Sequence, residues 1–123
     1  MEMTTMKIRT IINDMIAETN TLINTYDELV IKRYWIRYKY ELQKAIEMLD
    51  DFTDDNVDDI EHGYEMAIHD RWKSLDTAYC RFRAGIFPYP DELRKCVEMQ
   101  YQMKALKDLL FRIDVNREIC DIG

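Results

Sequence analysis

The sequence predicts an all-α protein, an antiparallel helical bundle of three or four helices, on three observations. Neither Gly nor Pro, the strongest breakers of regular structure, occurs before Gly63. Apolar residues recur at intervals of three and four along most of the chain, the period of one helix face. The 123 residues are 47% apolar and 33% charged, and a chain of this size buries about two thirds of its surface on folding. It reads as one helical domain over 1–123.

The first segment carries a heptad-like stripe of Ile8, Ile12, Met15, Thr19, Leu22, Tyr26, Leu29, Arg33, Ile36 and Tyr40, which predicts helix over 5–31. The following KRYWIRYKY has strand-prone aromatics, yet Tyr34, Tyr38, Leu42, Ala45 and Leu49 continue a helical period, and the flanking pattern decides for helix. The stripe changes register there, so a bend or break is placed near 32–35. A helix over 5–50 would be about 70 Å long, against about 40 Å for each later one. Either the segment folds back to give a four-helix bundle, or it stays long and coiled-coil-like, its overhang covered by another copy or a partner. No turn residue is present to make the fold-back, which favours the long form.

Residues 50–56 interrupt the pattern with turn-forming side chains, and Asp54 or Asp55 suits the N-cap of a helix over 55–83. Its stripe is Val57, Ile60, Tyr64, Ile68, Trp72, Leu75, Tyr79 and Phe82. The run AGIFPYP ends that helix and starts another, because Pro90 is accommodated in a first helical turn. The last helix, over 90–116, follows Cys96, Met99, Met103, Leu106, Leu110 and Ile113.

Charge is layered along the chain. Residues 1–49 carry seven basic and seven acidic side chains, 50–70 nine acidic and no Lys or Arg, and 71–123 ten basic and eight acidic. The net charge of −7 therefore resides in one segment, bounded by Lys32, Arg33, Arg37, Lys39 and Lys44 before it and Arg71, Lys73, Arg81 and Arg83 after it. Two uses follow: neutralisation by those flanking cations across a helical hairpin, or an acidic surface offered to a basic partner.

Several function classes are set aside. The longest apolar runs are three residues, far short of the roughly 20 that a membrane span needs. The amino terminus lacks the apolar core of a secretion signal, and three Cys without a C-x-x-C pair argue against a disulfide framework. A cytoplasmic, reducing location is expected, with all three Cys acting as small buried hydrophobes. Ser74 is the sole serine, and three isolated glycines make no phosphate loop. No enzyme chemistry, cofactor or metal is expected.

The acidic run partly resembles a calcium-binding loop, since Asp54, Asn56, Asp58 and Glu65 fall at its first, third, fifth and twelfth ligand positions. Its obligatory Gly is replaced by Asp59 and an apolar position by Glu61, which makes a solvated helix start the better reading. His62 and His69 lie about 10 Å apart along one helix and cannot share an ion.

The remaining reading is a non-enzymatic, self-associating protein–protein interaction module. Its contact regions are the basic aromatic run, with Arg33, Tyr34, Trp35, Arg37 and Tyr38, and the acidic segment, with Asp54, Asp55, Asp58 and Asp59. Trp, Tyr and Arg are the side chains enriched at interface hot spots. One alternative is a small acidic inhibitor, of the immunity-protein or viral counter-defence type, occupying a basic or nucleic-acid-binding site on its target. The other is nucleic-acid binding through the basic aromatic helix, disfavoured because an acidic chain opposes the phosphate term that dominates affinity.

Overall fold

The computed structural model describes residues 3–86 and 89–122, with backbone alone for 120–122. The regular structure is helical, with no strand among the described residues: α1 (Thr5–Thr25), α2 (Leu29–Leu49), α3 (Val57–Arg83) and α4 (Pro90–Ile122), with a 3-10 turn over Asp54–Asn56 ahead of α3.

The long first helix favoured by the sequence does not form. The chain reverses at Tyr26-Asp27-Glu28, ahead of the expected 32–35. Tyr26 (φ −85°, ψ 133°) and Glu28 (φ −74°, ψ 123°) both adopt extended backbone open to any residue, so the reversal needs neither Gly nor Pro. Weak helix formers precede it, Asn24 and Thr25 among them. The Thr21 and Thr25 hydroxyls donate to the carbonyls one turn back, of Ala17 and Thr21, at 3.2 and 2.7 Å, a pattern that loosens a helix end.

Beyond the reversal the core face changes register. α2 buries Tyr38, Leu42, Ala45 and Leu49, whereas Leu29, Ile36 and Tyr40 of the original stripe are exposed. These residues meet Ile8, Ile12 and Met15 of α1, Ile60 and Tyr64 of α3, and Ala105, Leu106, Leu109 and Ile113 of α4 in one core cluster. α2 packs between α1 and α4, and α3 packs mainly on α4.

Local chemistry fixes the ends. The Thr4 hydroxyl accepts from Lys7 N at 3.2 Å and caps α1, worth about 1 kcal/mol. Asp54, placed as an N-cap of the later helix, instead accepts from the Thr5 backbone N–H (2.9 Å) and hydroxyl (3.0 Å), tying the 3-10 turn to the start of α1. Thr53 and Asn56 form the capping box ahead of α3. Within the core the Tyr64 hydroxyl donates to Ala45 O at 2.8 Å, and Glu41, 4% exposed, meets Arg71 at 2.6 Å. α4 continues to Ile122, past the expected Asn116.

Candidate functional site

The buried part of α3 ends at Tyr64, and that of α4 begins only at Met103. The apolar stripe of α3 nevertheless continues through Leu75, Tyr79 and Phe82, and that of α4 reaches back through Cys96 to Leu93. These stretches face each other across an open groove of about 390 Å³, floored by Leu75, Ala78, Phe82, Ile86, Leu93 and Cys96 and edged by Tyr79, Arg81, Glu92 and Gln100. Phe82, Tyr79, Ile86 and Leu93 are each at least half exposed.

The end of α3 shapes this groove. Gly85 has φ +86°, its N–H donates to Phe82 O at 3.0 Å, and the Ile86 N–H donates to Arg81 O at 3.0 Å. This is the paired hydrogen-bond pattern of a Schellman cap, which turns the residue after the glycine back onto the helix. Ile86 thereby enters the groove. Pro90 then opens α4, with the Tyr89 carbonyl accepting from Glu92 N and Leu93 N at 2.9 and 3.2 Å. Phe87 and Pro88 of the connecting run lie outside the described residues.

The basic aromatic run on α2 lies against α4. Tyr38 is buried, its hydroxyl donating to Asp108 at 2.7 Å, and burial together with that bond holds its phenol well above the ordinary tyrosine range. Tyr34 stacks on Tyr101 with ring centroids 5.2 Å apart, and Trp35 meets the edges of Tyr38 and Tyr101 at 5.1 and 5.5 Å. Arg33 and Arg37 converge on one carboxylate, Glu98, at 3.3 and 3.6 Å. These five side chains thus join α2 to α4, with the two arginines still partly exposed.

The acidic segment is only partly neutralised, and not by the cations flanking it in sequence. Arg9 of α1 pairs with Asp50 at 3.0 Å, and Arg117 of α4 pairs with Glu61 at 2.7 Å and Asp58 at 3.6 Å. Arg33 and Arg37 serve Glu98, and Arg71 serves Glu41. Asp55 and Asp59 are exposed, with no ion-pair partner among the described residues. The oxygens compared with a calcium loop go separate ways: Asp54 to Thr5, Asn56 to Thr53, Asp58 to Arg117. Among the described residues no group of three or more His, Cys, Asp or Glu is placed to hold a metal.

The cysteines depart from the expectation of uniform burial. Cys96 is half-buried in the groove, while Cys80 is exposed because it lies off the apolar stripe of α3. The side chain of Cys120 lies outside the described residues. No described helix is long and apolar enough to cross a membrane. No protein-family model matches the chain, and no match emerges among curated proteins or solved structures.

The groove is hidden in the sequence because the α3 stripe keeps one period along its whole length, whether it is covered or open. The available signal was the pairing of Phe82 with Ile86 and Leu93 across Gly85 and Pro90, which puts apolar residues on both sides of a hairpin end.

Proposed function

We propose that this chain is a non-enzymatic interaction module, an antiparallel four-helix bundle that associates with further copies of itself through the α3–α4 groove. The supporting observation is that one continuous apolar stripe is covered in its first half and open in its second, where Tyr79, Phe82, Ile86 and Leu93 stand at least half exposed around the groove. Contiguous exposed apolar surface rimmed by polar side chains is the mark of an interaction site. Tyr79 carries the Arg83 guanidinium over its ring at 5.6 Å, and Tyr and Arg are both among the residue types enriched at binding hot spots. In this reading Arg33, Tyr34, Trp35, Arg37 and Tyr38 hold α2 on α4 and thereby support the wall of the groove, and the acidic segment is the second contact region.

The test is the mass of the purified protein by light scattering on elution from a sizing column, for the wild type and for Phe82→Gln. The wild type is expected to assemble and the variant to run as a monomer with an unchanged helical circular dichroism signal. A wild type that stays monomeric at every concentration contradicts the proposal.

A further inference from the structure

The fold segregates charge in a way the linear sequence conceals. The groove end is built from the α1–α2 reversal, the first half of α2, the second half of α3 and the start of α4. Residues 26–40 and 71–100, which make it, carry ten basic side chains against six acidic, whereas the rest of the chain carries seven basic against eighteen. Lys73, Arg81 and Lys95 at the groove end make no ion pair among the described residues, and neither do Asp51, Asp55 and Asp59 at the other. Asp76 and Glu92 also lack an ion pair among the described residues at the groove end, so what distinguishes the two ends is the sign of their net charge, positive at the groove and negative opposite.

We infer that the occupant of the groove is the acidic end of a second copy, so that copies associate head to tail; this rests on the self-association proposed above. Two grooves meeting face to face would bring two ends of like net charge together and set cations near cations. Each such contact costs about 1 kcal/mol at 4 Å in water, more as water is excluded. Docking the acidic end instead sets an end of net positive charge against one of net negative charge. That end also offers apolar contact, since Met6 at the start of α1 and Ile119 near the end of α4 are 68% and 63% exposed. A head-to-tail contact is heterologous, so it builds a ring if its rotation closes and an open chain if it does not.

Two variants separate this arrangement from its competitors. Leu93→Lys disables the groove while keeping that end basic, and Asp55→Lys with Asp59→Lys disables the acidic end. All three positions are exposed, so each variant should keep the wild-type helical signal and melt cooperatively. Each is expected to be monomeric where the wild type assembles. Mixed in equal amounts they should give a heterodimer and nothing larger, because one intact groove and one intact acidic end remain between them. If the acidic-end variant assembles like the wild type, or the mixture stays monomeric, the head-to-tail arrangement is overturned while self-association stands. A monomeric wild type would overturn both.

Discussion

Gly85 shows how one backbone angle positions the groove. At φ +86° an added Cβ would meet no atom within 4 Å, so the cost of a side chain there is conformational alone. Gly85→Ala is expected to lower stability by about 1–2 kcal/mol, read from urea unfolding, because a left-handed residue other than Gly is strained by that amount. The buried Glu41 is the opposite case, fixed by a partner. Arg71→Ala would leave that carboxylate unpaired in the interior and should cost about 3–5 kcal/mol in the same assay. Asp54 gives a pH dependence with a defined sign. The Thr5 backbone N–H, and then its hydroxyl, hold the carboxyl below its ordinary value of 3.8. A depressed carboxyl contributes stability that is complete above its unfolded value and is lost as pH falls through the folded one. Asp54→Asn should therefore flatten stability below pH 3.8 relative to the wild type, measured by thermal melts across that range.

Elements were legible in the sequence to the extent that their signals are local. The acidic first turn of α3, Pro90 opening α4 and the 3-4 stripe of α4 all have causes within a few residues, and those helices formed where expected to within a turn or two. The α1–α2 reversal had only the weak local cause of Asn24 and Thr25 ahead of it. Its residues lie in extended backbone available to any side chain, and what drives it is burial of Tyr38, Leu42 and Ala45 against α1 and α4, a tertiary contact. The same reason hid the fate of Arg33, Tyr34 and Trp35, since composition reveals that a run is aromatic and basic but not which helix it meets. Gly63 tests packing at this scale. A Cβ there would come within 3.1 Å of the Met48 terminal methyl, the flexible end of a side chain able to move aside. Gly63→Ala should then raise stability by up to about 1 kcal/mol through helix propensity; a loss would show that Met48 is pinned.

At the scale of the molecule, the described residues form four helices of 21, 21, 27 and 33 residues that share one core reaching only partway along the two longest. The uncovered remainder is where apolar surface and an excess of basic side chains coincide, and the excess of acidic side chains lies at the opposite end. The two regions singled out in the sequence thus lie toward separate ends of one body, and in the proposed reading the groove, not the α2 run itself, is the docking face of the basic end. Sedimentation velocity on the wild type, over a concentration series at low and at high salt, tests this account most directly. Assembly that grows with concentration at low salt and recedes at 1 M, where charge is screened within about 3 Å, is the result expected. A single monomeric species at every concentration and both salts would contradict it.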